Sequence, residues 1–136
     1  MKEKIKTIQI IHLAICAGVS LAYFFIGEPS AQHLKIPKID AASAMYLIIP
    51  VLAILAGNFI FKSQLKQADP QLKPEENLPV YQTACITRWA ILEGAAFVIL
   101  FLKPDFLIIG ILLIVYLVSL RPTEERIIND LKNVAR

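Results

Sequence analysis

Residues 84–102, ACITRWAILEGAAFVILFL, decide the fold class of this chain. The segment is apolar over the length of a helix that crosses a bilayer, which takes about 20 residues. Arg88 and Glu93 are its only charged residues. A charge at the centre of a bilayer costs roughly 2.5–3.5 kcal/mol on insertion scales. Glu93 therefore needs a partner, a proton or a function.

Three more apolar runs cover residues 8–26, 42–61 and 106–120. The last is short, but it reaches spanning length if Pro104 and Asp105 begin its helix. Proline suits the first helical position and an acidic residue suits the first turn. We therefore predict a fourth span over residues 104–120.

A tight turn should separate the third and fourth runs at residues 103–105. One continuous helix over residues 84–120 would be about 55 Å long, and the hydrocarbon core is only about 30 Å thick. Hydrophobic residues make up 57% of the chain and charged residues 18%, which excludes an ordinary soluble domain. The sequence predicts an all-α protein with a single transmembrane domain over residues 1–136, folded as an antiparallel four-helix bundle.

Basic residues are distributed unequally around these runs. Ten lie on one side of the predicted membrane: Lys2, Lys4, Lys6, Lys62, Lys66, Lys73, Arg121, Arg126, Lys132 and Arg136. Lys35, Lys38 and Lys103 lie on the other. The positive-inside rule then predicts cytoplasmic N- and C-termini in a multi-pass protein of the bacterial inner membrane.

The N-terminus also has features of a signal peptide, with lysines ahead of an apolar run. The run is longer than the roughly 7–15 apolar residues of such a signal, and it contains Gln9 and His12. We expect the first segment to be retained as a span.

A short amphipathic helix is predicted over residues 123–135. Thr123 can cap its N-terminus, and Glu124 and Glu125 suit its first turn. The apolar residues that follow recur at helical spacing: Ile127, Ile128, Leu131, Val134 and Ala135. We expect this helix to lie along the cytoplasmic surface of the membrane.

Small residues indicate close packing between the helices. They recur four apart in three runs, as the pairs Ala14 and Gly18, Ala53 and Gly57, and Ala90 and Gly94. Such pairs let helix backbones approach closely in lipid. We expect them to pack the bundle, and homodimerisation is the alternative use of one such face.

Four polar residues should lie at nearly the same depth. His12, Asn58, Arg88 and Tyr116 are each about four or five residues from the cytoplasmic end of a different run. At about 1.5 Å per residue they would form one polar layer in the cytoplasmic leaflet. Glu93 lies deeper, and its spacing of five from Arg88 is poor for a pair within one helix.

Each of these residues has a structural and a functional interpretation. Glu93 either stabilises the bundle through hydrogen bonds of its carboxyl group or exchanges protons or cations. Arg88 serves the structure or contacts an anionic lipid, and His12 is a packed, hydrogen-bonded residue. Cys16 and Cys85 differ in depth, which disfavours a disulfide.

Sequence motifs for catalysis or cofactor binding are absent from the chain. It contains two histidines in separate regions, no phosphate-binding loop and no nucleophile motif. It also has no basic and aromatic surface of the kind that binds nucleic acid. We therefore expect no enzyme activity, no metal, no cofactor and no nucleic-acid partner.

Two segments of the chain carry a resemblance to known proteins: residues 81–96, YQTACITRWAILEGAA, and residues 120–131, LRPTEERIINDL. This second half of the chain resembles small four-span bacterial inner-membrane proteins, a family to which no activity is attached. The segment from Glu93 to Ala96 is also similar to rotary ATPase proteolipids, and the four short spans to small multidrug-resistance transporters. The chain lacks the glycine-rich first helix of the proteolipids and the first-helix glutamate of the transporters, so no site residue is transferred.

The predicted function is that of a structural or accessory component. Such a protein would contact the lipid bilayer and associate with itself or with a larger membrane complex. The alternative is a small proton-coupled transporter or ion-conducting protein that uses Glu93, with Arg88 and His12 tuning its charge.

Overall fold

A computed structural model of the chain describes residues 2–27, 41, 44–69, 71–102 and 106–134. These residues form five α-helices and one short 3₁₀ helix, and the described ranges contain no strand. The α-helices are α1 (Lys2–Gly27), α2 (Ala44–Leu65), α3 (Leu78–Leu102), α4 (Leu107–Ser119) and α5 (Glu124–Val134). The 3₁₀ helix, Pro74–Asn77, directly precedes α3. The predicted all-α class is confirmed.

Three of these helical segments are long and apolar enough to cross a membrane: Lys2–Ile26, Ala44–Leu65 and Pro74–Leu102. Helix α4 has only 13 residues, and it meets α5 at a bend of 85°. The count of possible spans is therefore three, or four if α4 and α5 form one broken span. These helices are compatible with a multi-pass membrane protein.

The helices differ from the predicted spans at their ends. Helices α1 and α3 begin six residues before the predicted spans at 8 and 84, because each helix continues beyond its apolar run. The predicted start of the fourth helix, at residue 104, lies outside the described residues. Phe106 has φ −96° and ψ 25° and precedes α4, which begins at Leu107. The turn predicted at residues 103–105 lies outside the described residues.

Helix α3 is at the centre of the packing and contacts α1, α2 and α4. It contributes the largest fully buried side chain, that of Trp89, and also buries Tyr81, Leu92 and Ile99. Helix α4 also packs against α1. The segment that decides the fold class therefore also supplies much of the core.

Thr123 caps α5 as predicted, because its Oγ1 accepts a hydrogen bond from the backbone N–H of Arg126 at 3.2 Å. The apolar side of α5 packs in part against the rest of the protein, and its position on the membrane surface stays a prediction. Ile127 and Leu131 are buried against the protein, and the Tyr81 hydroxyl of α3 donates to Asp130 at 2.8 Å. Ile127 and Leu131 thus contact protein. Ala135, which the sequence places on the same side of the helix, lies outside the described residues.

The small-residue pairs behave in two ways. Ala53 and Gly57 are buried, and a Cβ on Gly57 would lie 3.4 Å from Cγ of Arg88, so this pair packs α2 against α3. A Cβ on Gly18 or Gly94 would have no described atom within 4 Å. The packing of a helix against these two glycines therefore stays a prediction, since the 3.6-residue period identifies a face but not what covers it.

Their alanine partners are also exposed. Ala14 lies one turn before Gly18 on α1, and Ala90 lies one turn before Gly94 on α3. The residues that the structure describes therefore leave two small-residue faces uncovered.

Candidate functional site

Arg88 is a nearly buried cation in the third helix, with 8% of its surface exposed. Its Nη1 donates to Oδ1 of Asn58 on α2 at 3.4 Å. Its Cζ lies 3.8 Å from the centre of the Phe61 ring, a cation–π contact that helps to compensate for lost hydration. Helix α2 covers the guanidinium, which is therefore not open to a lipid headgroup.

Asn58 extends this contact to a third helix. The Tyr116 hydroxyl of α4 lies 3.4 Å from both side-chain amide atoms of Asn58. These hydrogen bonds are long, near the outer limit of the accepted geometry. The structure thus brings Asn58, Arg88 and Tyr116 together from three helices in one polar cluster.

His12 is buried nearby but bonds elsewhere. Its Nε2 lies 2.8 Å from the carbonyl oxygen of Leu117 on α4, which requires the proton to be on Nε2. The imidazole packs against Trp89 with ring centres 4.8 Å apart, and Sγ of Cys16 lies 3.5 Å from Nε2. Leu117 and Trp89 directly follow Tyr116 and Arg88 in the chain, so His12 lies beside the cluster without hydrogen bonding to its side chains.

Glu93 stands apart from the cluster. It is partly buried in the middle of α3 and has no hydrogen bond or ion pair with any residue that the structure describes. Ala90 and Gly94, one turn before and one residue after, are exposed. Among the described residues, the Glu93 carboxyl group therefore has no compensating partner, and it lies at the edge of a helix face that they leave uncovered.

Three further side chains link separate segments of the chain, and of these Tyr23 and Tyr81 were not predicted from the sequence. The Tyr23 hydroxyl of α1 donates to the carbonyl of Ala96 on α3, Tyr81 bonds Asp130, and Nε2 of Gln9 donates to the carbonyl of Pro122 at 2.7 Å. Tyr23 continues the stripe of Gln9, His12 and Cys16 at helical spacing, and that signal could have identified it.

The titratable groups give no sign of a metal centre. The described ranges contain no cluster of three or more His, Cys, Asp or Glu side chains suited to a metal ion. Cys16 and Cys85 are both buried and free.

A cavity of about 460 Å³ opens between α1 and the C-terminal end of α4. Lys6 and Arg121 line it together with Gln9, His12 and Cys16. We call it the α1–α4 cavity. It connects two cationic side chains to the His12 and Cys16 pair.

Comparison with protein-family models, curated proteins and solved structures finds no match to this chain. The resemblance of its second half to small bacterial inner-membrane proteins therefore stays a prediction.

Proposed function

We propose that this chain is a small structural or accessory component of a membrane assembly in the bacterial inner membrane. Helices α1 to α4 would form an antiparallel bundle with both termini cytoplasmic, with α5 docked at that side. The distribution of ten basic residues against three supports this orientation. Cross-helix bonds from Gln9, His12, Tyr23 and Arg88 fit a protein whose polar groups hold it together.

The observation that carries the proposal is the unpaired position of Glu93. Ionisable groups inside a membrane normally face a protein interior and pair with another group, because hydrocarbon does not solvate them. Among the described residues Glu93 has no such partner, whereas Arg88 of the same segment contacts Asn58 and Phe61. A helix from another polypeptide would supply one.

The surface beside Glu93 has a suitable shape for such a helix. Ala90 and Gly94 form an uncovered small-residue face on α3, and Ala14 and Gly18 form another on α1. Without large side chains, a neighbouring helix can come close enough for backbone contacts and for a hydrogen bond to the carboxyl group. Self-association and association with another membrane protein both satisfy this requirement.

The proposal is tested by purifying the chain from native nanodiscs and weighing the intact assembly. We expect a stoichiometric complex, either of several copies or with other membrane proteins. Gly94→Leu should disrupt this complex, because the leucine side chain would fill the small-residue face that a neighbouring helix approaches. Val98→Leu, on the same exposed side of α3, is the matched control and should leave it intact. A wild-type chain that is monomeric in nanodiscs contradicts the proposal.

The second candidate is a small proton-coupled carrier or ion-conducting protein. The α1–α4 cavity favours it, because the cavity reaches the buried His12 and Cys16 of α1. In such a carrier, protons would pass from these side chains to the Glu93 carboxyl group.

Proton flux into vesicles that contain the purified protein separates the two candidates. Loss of flux in Glu93→Gln with an intact assembly supports the carrier, and retention of flux in Glu93→Asp would show that an acid is what matters. Loss of assembly in Glu93→Gln, with no flux in the wild type, supports the structural role. Unchanged assembly and flux would show that Glu93 serves neither.

A further inference from the structure

The α1–α4 cavity has an unequal distribution of charge along its length. Lys6 and Arg121 line one end, and the described lining contains no acidic residue. Cys16 lines the other end, ten residues further along α1. The cavity therefore joins a cationic mouth to a less polar interior.

Two hydrogen bonds hold Arg121 beside α1. Gln9 donates to the carbonyl of Pro122, and His12 bonds the carbonyl of Leu117. The Leu117 carbonyl belongs to the last turn of α4 and the Pro122 carbonyl to the corner that follows it, so this end of α4 is fixed against α1 at two points. Lys6 and Arg121 thus both line the cavity, and each of these side chains is exposed.

The outer wall of the cavity is apolar and accessible from the side. Ile10 and Leu13 on α1 are 60% and 67% exposed, and Val118 on α4 is 50% exposed. The wall from Lys6 to Cys16 covers ten residues of helix, or about 15 Å. That is half of a hydrocarbon core of about 30 Å, the depth of one leaflet.

We propose that the α1–α4 cavity is a binding site for one anionic phospholipid of the cytoplasmic leaflet. The phosphate group would lie between Lys6 and Arg121, and an acyl chain would follow Ile10, Leu13 and Val118. Basic pockets between membrane helices on the cytoplasmic side are suited to anionic headgroups. A free phosphate ion would use the cations but would leave the apolar wall without an occupant.

This site differs from the one expected at Arg88. Arg88 is covered by Asn58 and Phe61, whereas Lys6 and Arg121 are exposed at the mouth of a cavity. The proposal does not depend on Glu93 or on the oligomeric state.

The test is a titration of the full-length protein in mild detergent with phosphatidylglycerol or phosphatidylcholine of the same acyl chains, followed by native mass spectrometry. We expect preferential binding of one phosphatidylglycerol. The double variant Lys6→Gln, Arg121→Gln should weaken it about fivefold for each charge removed. The matched control Lys62→Gln, Lys132→Gln removes two exposed charges outside the cavity and should have a much smaller effect.

A second variant tests the apolar half of the site. Leu13→Trp should fill the outer wall and reduce phosphatidylglycerol binding, and the exposure of Leu13 makes it compatible with folding. Equal losses in the cavity variant and the control variant would overturn the proposal in favour of general surface attraction. Displacement of the lipid by inorganic phosphate, with no effect of Leu13→Trp, would overturn it in favour of a free-anion site. Loss of the bound lipid on dimer formation would identify a second copy as the occupant.

Discussion

Gly110 has less room for an added Cβ than the other described glycines. It lies on α4 directly against Tyr23 of α1, and a Cβ at this position would overlap the Tyr23 hydroxyl. Tyr23 is itself buried and donates to the carbonyl of Ala96 on α3. Three helices therefore meet at one glycine and one tyrosine.

We expect Gly110→Ala to destabilise the protein by about 1–3 kcal/mol, the usual effect of overpacking. The tyrosine cannot move aside without losing its hydrogen bond to Ala96. The measurement is the free energy of unfolding in mixed micelles. Gly94→Ala is the control, because no described atom lies within 4 Å of its added Cβ, and it should be neutral or stabilising. Equal effects of the two substitutions would contradict the packing at Gly110.

The depth of a residue along its helix could be predicted from the sequence, but the direction of its side chain could not. Depth counting along the apolar runs placed Asn58, Arg88 and Tyr116 at one level, and in the structure they lie within hydrogen-bonding distance. The same counting included His12, whose ring instead faces the Leu117 carbonyl and Trp89. The rise per residue fixes a level, but rotamers and neighbouring carbonyls decide which groups bond.

At the level of helices, α5 shows what an amphipathic pattern determines. Its pattern and the Thr123 cap predicted a helix at the right place. The pattern could not show whether lipid or protein covers the apolar side. In the structure Ile127 is fully buried by the protein, while its neighbour Ile128 is partly exposed.

These two isoleucines provide a prediction for α5. Ile127→Ala should loosen its docking by about 2–5 kcal/mol, as expected for a large buried side chain, and raise amide hydrogen exchange throughout the helix. Ile128→Ala should have a much smaller effect. Hydrogen exchange with mass spectrometry on the protein in nanodiscs is the measurement, with α3 as the internal reference. Equal effects of both substitutions would indicate that α5 lies on the membrane surface.

At the level of the whole molecule, the number of membrane spans depends on α4. Its 13 residues correspond to about 20 Å, less than the hydrocarbon core, so α4 alone is too short for a full span. The sequence predicted a longer helix because residues 104 and 105 suit a helix start, but α4 begins at Leu107. Composition identifies an apolar run, whereas the local backbone decides how much of it is helical.

Charge distribution leads us to expect that α4 nevertheless crosses the membrane and leaves both termini in the cytoplasm. If α4 did not cross, the basic residues that follow it would lie on the opposite side of the membrane from the other basic segments, against the positive-inside rule. Single cysteines introduced by Lys4→Cys, Gln71→Cys and Lys132→Cys, in a chain whose Cys16 and Cys85 are replaced by alanine, test this with a membrane-impermeant thiol reagent. All three positions are exposed, so each should react in inverted vesicles and not in intact spheroplasts. Reaction of the cysteine at position 132 in intact spheroplasts, with the other two protected, would show three spans and contradict the prediction.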